Sequence, residues 1–414
     1  MTAGRHSGPD PVLVDGAVSL RRFTAVDAPA FAAIHSDPLN VLWSGSVADM
    51  DPARAVDFIE GSIAAGWDNG SSLRFAIVQR MAGAKTGEVV GTLSLQDLFR
   101  TPKGGSASVG IKMLPAGRGT GSAGRAIRLL CDYAYGTLGL EILHWRCTSG
   151  NLGSVSLAGR CGFVLAAEIP GFGHVGGEVA DGLMFTQSAR QWAGRDKLTG
   201  QDSHDTDGSR QGHSRGTNLD PTPVVPVLRG PTVVLRAPAM ADAGQLVEIC
   251  RDPESVRWTT IPLDYTMDHA IDFIKNITPK GWRTGETLTF AVAHAETDTL
   301  LGTVDLQCPN PGTAAVGINI GAGNRGTGTA EAAARLLLDY AFNQLNLAYV
   351  HWHALVPNWG SRKLAWKLGF TFDGQLRGDY NDRGTPADRW VLSLAAGEEH
   401  APREPWTGPA PLSR

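Results

Sequence analysis

Apolar positions recur along this chain either every second residue, as in strands, or at i, i+3 and i+4, as in helices. The two patterns occur in the same order in each half of the chain. In the second half, short apolar runs with period two predict strands at 232–236, 288–294, 300–306 and 314–320. Helices are predicted at 240–251 and 266–276. From 329 to 345 the apolar positions recur at i, i+3 and i+4, which predicts one long amphipathic helix. A strand at 348–356, a helix at 359–368 and strands at 371–375 and 390–394 complete an α/β unit.

The first half repeats this order because the two halves are copies of one another. At an offset of 207 residues, the segment 128–135 matches 335–342, and His144-Trp145 matches His351-Trp352. Upstream the offset grows to 215 through loop insertions, so that Asp37-Pro38 matches Asp252-Pro253. A period of this length indicates two domains rather than a solenoid of short repeats.

The domain boundaries follow from composition. We divide the 414 residues into a tail at 1–11, a first domain at 12–192, a flexible linker at 193–226, a second domain at 227–396 and a tail at 397–414. The linker is rich in Ser, Thr, Asp, Gly and Pro and has no apolar periodicity. His204 and His213 lie in this polar run and are not expected to bind a metal, and no other metal site is predicted.

Charge and cysteine content narrow the class of protein. A net charge of −4 disfavours a general nucleic-acid or membrane-surface role. No apolar run approaches the roughly 18–20 residues that span a bilayer, and the first residues lack the apolar segment of a signal peptide. The five cysteines are scattered without a CxxC pair and are interpreted as free thiols. We therefore expect a cytoplasmic protein without a nucleic-acid or membrane partner.

A glycine-rich turn occurs once in each half. Its two copies are Arg118-Gly119-Thr120-Gly121-Ser122-Ala123 and Arg325-Gly326-Thr327-Gly328-Thr329-Ala330. Each copy follows a short apolar strand, which contains Ile111 or Ile318, and opens the amphipathic helix. Glycines let the backbone approach a ligand closely, and the N–H groups and dipole of the first helical turn favour an anion. Each half is therefore predicted to bind a phosphorylated ligand.

Two other phosphate-binding motifs fit this turn less well. The first copy satisfies the dinucleotide pattern G-x-G-x-x-G, with Glu141 about 20 residues further on. That pattern should follow the first strand of its domain, whereas several strands precede it here, and Glu331 replaces the third glycine in the second copy. Neither copy ends in the Gly-Lys-Ser/Thr of a nucleotide-hydrolysing P-loop.

The order strand, Arg-x-x-Gly-x-Ala, helix, strand, Asn-x-x-Ser and Gly-Phe, found twice, resembles the GNAT superfamily of acyl-CoA N-acetyltransferases, and most closely its RimJ/RimL-like branch. The resemblance implies two tandem α/β domains, each a mixed, largely antiparallel twisted sheet flanked by helices. It also implies acetyl-CoA as the acyl donor. The turn residues would hold the pyrophosphate, the pantetheine would lie in a gap beside the strand of Ile111 or Ile318, and Asn151 or Asn358 would order the thiol end.

The same resemblance suggests the catalytic residues. Ser154 and Ser361 would lie near the sulfur, where a hydroxyl protonates the departing thiolate. Tyr380 is an alternative acid. For each of these residues a purely structural role, such as a helix N-terminal hydroxyl or a surface-loop aromatic, is the competing interpretation.

The general base departs from the family pattern. Many relatives carry a glutamate two residues before the strand glycine, where this chain has Ser108 and Ala315. Asp305, on the preceding strand, is one candidate, and Asp97, two places beyond its counterpart in the first half, is another. His351 and His353 are others, because they share one face of a strand and histidine titrates near neutral pH. The competing interpretation is that these candidates are simply hydrogen-bonded side chains at the ends of strands.

The expected activity is direct attack of a primary amine, on a small molecule, a peptide or a protein N-terminus, on the thioester of acetyl-CoA. The second half keeps more of the family pattern, since Arg377 follows its Gly-Phe turn where the first half has Pro170, and Gly124 weakens the first helix. We expect the second domain to be catalytic and the first to be a built-in partner in an intramolecular pseudo-dimer, with further homo-oligomers left open. A non-catalytic coenzyme A-binding scaffold is the alternative hypothesis. Aminoacyl transfer from tRNA fits poorly, because both turns are intact and no basic stripe occurs.

Overall fold

A computed structural model describes residues 10–44, 49–80, 87–101, 104–194 and 225–409. Within these ranges the chain forms two compact units. The first unit comprises residues up to 168, 172–194 and 376–388, and the second comprises 169–171, 225–375 and 389–409. Most of the predicted linker and of the N-terminal tail lies outside the described residues.

The first unit is built on a mixed sheet whose strands are arranged in the order β1-β2-β3-β4-β5-β6-β8-β7. Neighbouring strands from β1 to β5 are antiparallel, β5 and β6 are parallel, and β6 and β8 are antiparallel. The strands are β1 Leu13–Asp15, β2 Val18–Arg22, β3 Leu73–Gln79, β4 Glu88–Thr101, β5 Gly104–Met113, β6 Ile142–Thr148, β7 Val164–Val175 and β8 Glu178–Ser188.

Helices cover both faces of this sheet. The long helix α5 buries Ala126, Ile127 and Leu130 on one face, and α1 packs against β4 on the other. The helices are α1 Ala28–Ser36, α2 Pro38–Ser44, α3 Pro52–Phe58, α4 Ala64–Asn69, α5 Ser122–Asp132, α6 Leu152–Arg160 and α7 Ala189–Ala193. A π-helical turn, Ile59–Ile63, joins α3 to α4, and another, Tyr133–Thr137, extends α5.

The second unit repeats the arrangement, with the strand order β9-β10-β11-β12-β13-β14-β16-β15. Its strands are β9 Leu228–Arg229, β10 Val233–Arg236, β11 Thr287–His294, β12 Leu300–Asn310, β13 Thr313–Ile320, β14 Tyr349–Leu355, β15 Thr371–Asp382 and β16 Thr385–Ala395. Its helices are α8 Ala243–Arg251, α9 Pro253–Trp258, α10 Met267–Asp272, α11 Thr278–Thr284, α12 Thr329–Asn343 and α13 Trp359–Lys367. The π-helical turn Phe273–Ile277 joins α10 to α11.

The core of the second unit confirms the amphipathic helix predicted from 329 to 345. Ala334, Leu337, Leu338 and Ala341 are fully buried against apolar strand residues such as Val304 and Val350. The predicted fold class, a largely antiparallel sheet flanked by helices in each of two tandem domains, is likewise confirmed. Within the described residues, no helix has the length and apolar character needed to cross a membrane.

The C-terminal segment 397–409 differs from the loose tail expected from its composition. Arg403 donates two hydrogen bonds to the Gly369 carbonyl oxygen, at 3.0 and 2.7 Å, and the Trp366 indole donates to the Glu404 carbonyl oxygen at 2.7 Å. Trp406 packs edge to face on Trp359 and against Trp366, with ring centroids 6.2 and 5.5 Å apart. The segment therefore covers one side of α13.

Candidate functional site

The glycine-rich turns have the backbone conformation that the sequence predicts. The glycines of the second copy, Gly326 and Gly328, have φ values of 76° and 92°, and those of the first copy, Gly119 and Gly121, have 70° and 77°. Side-chain-bearing residues rarely adopt these angles. A methyl group added at Gly121, Gly326 or Gly328 would meet no atom within 4 Å. The positive φ values therefore favour glycine at these positions. The absence of nearby atoms shows that the turn leaves open space in front of its backbone.

Each turn leads directly into a helix whose N-cap is a glycine and so supplies no capping side chain, although in the first unit Ser122 N–H donates to Thr120 Oγ1 at 3.3 Å. Gly121 is the N-cap of α5 and Gly328 is the N-cap of α12. The hydroxyl of Thr327 instead donates to the Asn324 carbonyl oxygen at 2.8 Å, and that of Thr120 donates to the Gly117 carbonyl oxygen at 2.9 Å. The first-turn N–H groups and the positive end of the helix dipole therefore suit a phosphate.

The arginine of each turn anchors the scaffold. Arg325 forms an ion pair with Asp252 at 2.6 Å and donates to the Ile320 carbonyl oxygen at 2.9 Å. Burial opposes ionisation of Asp252, but hydrogen bonds and the charge of Arg325 outweigh it and hold the pKa of that carboxyl below its usual range. Arg118 forms the equivalent ion pair with Asp37. The repeated Asp-Pro pairs of the sequence thus supply the arginine's partner.

The predicted gap between strands is present in both units. In the second unit, β13 and β14 pair in parallel from Thr313 opposite Tyr349 to Val316 opposite Trp352, and no further. In the first unit, the pairing of β5 with β6 ends at Val109 opposite Trp145. Ile318 and Ile111 lie beyond the last pair, where the strands have parted.

Each predicted serine is held at the start of this gap by a buried tryptophan. The Trp352 indole donates to Ser361 Oγ at 2.9 Å, and Ser361 N–H donates to Oδ1 of Asn358, the N-cap of α13, at 3.0 Å. Since the serine oxygen accepts from the indole, its own proton remains available to donate elsewhere. The first unit has the same arrangement, in which Trp145 donates to Ser154 Oγ at 2.9 Å.

The two serines have different neighbours. In the first unit, Cys147 lies beside Ser154; burial raises the pKa of the Cys147 thiol, and a hydrogen bond from Ser154 partly offsets this. In the second unit the equivalent position is Ala354, which is buried and offers no side-chain acceptor. Ser154 thus has a thiol neighbour for which Ser361 has no counterpart at that position.

Asp305 lies on the face of the sheet opposite to Trp352. Along the strands it lies at the level where the gap between β13 and β14 begins. It pairs with Gly317, which is the first residue of β13 beyond the last pair with β14. A methyl group at Gly317 would lie 2.5 Å from Asp305 Oδ2, so the carboxylate lies directly over this glycine. The side chain is half-buried. Desolvation raises the pKa of Asp305 to about 6, although Gln307 Nε2 donates to Oδ1 at 3.2 Å.

The first unit has no carboxyl group at the equivalent place. Ser94 pairs with Gly110 there and donates to the Gly110 carbonyl oxygen at 3.3 Å, while Gln96 Nε2 donates to Ser94 Oγ at 2.9 Å. The glutamine is thus retained in both units, as Gln96 and Gln307, and the acid is not. This is the clearest chemical difference between the two copies of the site.

The remaining candidates are less well placed. His351 is buried, and its Nε2 lies 2.8 Å from the Pro170 carbonyl oxygen, which belongs to the same unit. Burial lowers the pKa of His351, while this hydrogen bond opposes the shift. His353 shares its face and is half-buried, opposite Val391. Tyr380 lies within 376–388, which belongs to the first unit, so the structure does not group it with Asp305 and Ser361.

Sequence reasoning missed two supporting roles. The indoles of Trp145 and Trp352 position the serines, and the repeated His-Trp pair was the available signal. Asp37 and Asp252 were noted only as repeated residues. Among the described residues, no cluster of His, Cys, Asp and Glu side chains has the arrangement of a metal site.

Comparisons with known proteins agree with this geometry. The model of the acetyltransferase (GNAT) domain matches residues 18–164 and 232–371, so each matched region contains one turn with its strand and helix. The chain is 32% identical over 112 residues to a protein of Bacillus subtilis named as a probable N-acetyltransferase, YjcK. That match spans 62% of the relative and 26% of this chain.

Solved structures of similar fold match about one half of the chain each. A ribosomal-protein-S5-alanine acetyltransferase from Vibrio fischeri has a TM-score of 0.40 and 16% identity, over 44% of this chain and 99% of that one. A spermidine N-acetyltransferase from Vibrio cholerae, in complex with CoA and spermine, has a TM-score of 0.38 and 17% identity, over 43% of this chain and 99% of that one.

Proposed function

Because the chain belongs to the GNAT family of acetyltransferases, we propose that its second unit transfers an acetyl group from acetyl-CoA to a primary amine. The observation that supports this most is Asp305, a half-buried carboxyl group with a raised pKa at the mouth of the gap between β13 and β14. The amine would belong to a small molecule, a peptide or a protein N-terminus.

The residues of the second unit fit the coenzyme. The uncapped N-terminus of α12 and the turn Arg325 to Ala330 would hold the pyrophosphate through backbone N–H groups, since the Arg325 side chain is used by Asp252. Ile318 would line the gap, and Asn358 would face the thiol end. When bound, acetyl-CoA supplies the acetyl group as a thioester.

Asp305 would act as the proton acceptor. An amine attacks a thioester only in its neutral form, so a group near the reacting nitrogen must take up a proton. With a pKa of about 6, Asp305 is mostly ionised at neutral pH and is a stronger base than an ordinary aspartate. Desolvation therefore makes this carboxylate suited to the task that a strand glutamate performs in many relatives.

Ser361 would act as the proton donor on the other side of the gap. Its oxygen accepts from the Trp352 indole, which orients the hydroxyl so that its proton is directed away from the tryptophan. A departing thiolate sulfur at the gap would receive that proton. Asp305 on β12 and Ser361 on α13 would then act as base and acid from opposite sides of the sheet.

The first unit would bind coenzyme A without efficient transfer. Its turn glycines have the same conformation as those of the second unit, but Ser94 replaces the base and Cys147 lies beside Ser154. A non-catalytic coenzyme-binding scaffold remains the second hypothesis for the whole chain, and the first unit fits that description on its own.

The test compares Asp305→Asn with Ser94→Ala, the matched change in the first unit. Coenzyme A release from acetyl-CoA is measured with a polyamine, an aminosugar and peptides with free N-termini. We expect Asp305→Asn to lower kcat by at least 100-fold with unchanged coenzyme affinity by calorimetry, and Ser94→Ala to have no effect. No turnover by the wild-type chain with any amine, despite coenzyme binding, would favour the scaffold. Equal activity of wild type and Asp305→Asn would refute the role of Asp305.

A further inference from the structure

A chain of hydrogen bonds connects the glycine-rich turn of the second unit to a side chain near Asp305. Arg325, besides its ion pair with Asp252, donates from Nη2 to Ser255 Oγ at 2.8 Å. A guanidinium has no acceptor, so the Ser255 oxygen accepts this bond and its own proton points elsewhere. That proton is donated to Oδ1 of Asn319 on β13, at 2.8 Å. The turn arginine therefore sets, through the serine, the orientation of the Asn319 amide.

The serine in this chain is itself held on all sides. Ser255 lies on α9 and is only 2% exposed, and its N–H donates to Asp252 Oδ1 at 3.0 Å. Its carbonyl oxygen accepts from the Thr259 hydroxyl at 2.6 Å. These bonds fix the serine and, with it, the end of the Asn319 amide that it contacts. Because Oδ1 faces the serine, Nδ2 of Asn319 points away from it.

Asn319 lies on the same face of the sheet as Asp305, in the part of β13 that has parted from β14. Asn319 pairs with Thr303, and Gly317, two residues earlier, pairs with Asp305. Because side chains alternate between faces along a strand, Asp305 and Asn319 share one face. Diagonal neighbours on adjacent antiparallel strands are about 7–8 Å apart. One small molecule can therefore contact the carboxylate and the amide at the same time.

The Asn319 amide keeps two donors for a ligand. Within the part of the chain that the structure describes, its Nδ2 makes no hydrogen bond to protein, and only Oδ1 is engaged. The side chain is half-buried, so a group bound to it would be partly shielded from water. An amide NH₂ donates but does not accept. It therefore matches an oxygen with lone pairs and does not match a protonated amine.

The first unit builds its turn without this chain of hydrogen bonds. Asn40 stands at the position of Ser255, and Lys112 stands at that of Asn319. Asn40 Nδ2 donates to the Met113 carbonyl oxygen at 3.2 Å, and the turn arginine donates to the same oxygen at 2.7 Å. The ion pair of that arginine with its aspartate is nevertheless formed. The bond from Ser255 to Asn319 is therefore not needed to hold a turn, and its effect is on the amide.

We infer that Asn319 binds an oxygen atom of the acceptor substrate whose amine faces Asp305. The acceptor is then an amine that carries a carbonyl or hydroxyl oxygen a few bonds from its nitrogen. A polyamine, whose protonated nitrogens only donate, leaves the amide unmatched. Two kinds of compound supply such an oxygen, an aminoacyl group and an amino alcohol. This inference rests on acetyl transfer by the second unit and names the class of its substrate.

The experiment measures coenzyme A release from acetyl-CoA by the full chain with amines of similar shape: alaninamide, alaninol, sec-butylamine and propylenediamine. We expect the wild type to use at least one of the two oxygen-bearing amines with a kcat/KM at least tenfold above that for sec-butylamine. In Asn319→Ala this ratio should fall to about one. Asn319→Asp keeps an oxygen for Ser255 but replaces the donors by a carboxylate, so it should shift the preference to propylenediamine.

Two further variants separate recognition of the substrate from a structural role. Ser255→Ala keeps the Asn319 amide but releases its orientation, so the selectivity ratio should fall partway. Asn276→Ala removes an exposed amide of the same unit, whose Nδ2 donates to Asp272 at 2.7 Å, and should leave every ratio unchanged.

The outcomes distinguish this inference from acetyl transfer itself. Preference for alaninamide identifies an aminoacyl acceptor, and preference for alaninol identifies an amino alcohol. The same ratios in the wild type and Asn319→Ala would overturn the role of Asn319 and leave acetyl transfer standing. An equal loss for every amine in Asn319→Ala and Asn319→Asp would mean that the amide acts on the acetyl group, which also overturns it. No turnover of any amine by the wild type would contradict both.

Discussion

The Asp305 carboxylate lies over the backbone of Gly317, so closely that a methyl group on this glycine would come within 2.5 Å of Oδ2. We expect Gly317→Ala to displace the carboxylate without removing it. If Asp305 is the base, a shift of about 1 Å should lower kcat by about 100-fold. Steady-state kinetics test this, with Gly323→Ala as control because its added methyl meets no atom within 4 Å. Unchanged kcat in Gly317→Ala would argue against a positioned base.

The pKa of Asp305 predicts the acid limb of the rate profile. Below about pH 6 the carboxylate becomes protonated and can no longer accept a proton, so kcat/KM should fall tenfold per pH unit. This limb, with its break near pH 6, should disappear in Asp305→Asn, whose residual rate should follow only the fraction of neutral amine, without a break from pH 5 to pH 7. Persistence of the same limb in the variant would assign it to another group.

The raised pKa of Asp305 also predicts the sign of the stability difference between the wild type and Asp305→Asn. A carboxyl whose pKa is raised in the folded protein contributes stability below about pH 4 that is lost as the pH rises through about 6. Asp305→Asn should therefore be more stable than the wild type at pH 7.5, and this advantage should shrink toward pH 4.5. Chemical denaturation at both pH values measures it, with Asp339→Asn, on a solvent-facing side of α12, as control.

Trp352 and Ser361 should act as one unit. Trp352→Phe keeps an aromatic ring in the core but removes the indole N–H that orients Ser361 Oγ. We expect it to lower kcat as much as Ser361→Ala does, and the double variant to lose no more than either single one. Trp145→Phe, the matched change in the first unit, should leave turnover unchanged. Additive losses would show that the tryptophan contributes by packing alone.

Arg325 should support coenzyme binding indirectly. Its ion pair with Asp252 holds the turn, so Arg325→Gln and Asp252→Asn should each weaken acetyl-CoA binding severalfold, and the double variant should be no worse than either. Calorimetry at two salt concentrations measures this. A far larger and salt-dependent loss in Arg325→Gln alone would show instead that the guanidinium contacts phosphate directly.

The C-terminal segment should stabilise the second unit. Trp406 contacts Trp359 and Trp366 on α13, and removing its ring by Trp406→Ala should cost about 1–3 kcal/mol of unfolding free energy. Thermal and chemical melting test this, with Pro402→Ala in the same segment as control. Loss of coenzyme affinity without loss of stability would assign the segment a different role.

Much of the fold and part of the site could be predicted from local sequence. The turn glycines and the helix from Thr329 follow from backbone preference and apolar period, which are properties of neighbouring residues. The bond between Trp352 and Ser361 could not be predicted, because it joins residues brought together by packing of α13 on β14. The segment 397–409 has no periodicity, and its order comes from contacts with α13 that composition does not reveal. That Tyr380 belongs to the first unit could not be predicted either, because position along the chain does not indicate it.

In each turn the arginine side chain holds the scaffold and the main-chain N–H groups face the ligand, which affects how the two copies can evolve. Since Arg118 and Arg325 are occupied by carboxylates, the ligand would be recognised by main-chain N–H groups, which every non-proline residue carries. Substitutions such as serine for threonine between positions 122 and 329 then change little, and only the two left-handed glycines are constrained. Coenzyme recognition by such a turn would tolerate most substitutions, so that one of the two domains could lose its catalytic residues, or acquire others, and still keep the turn.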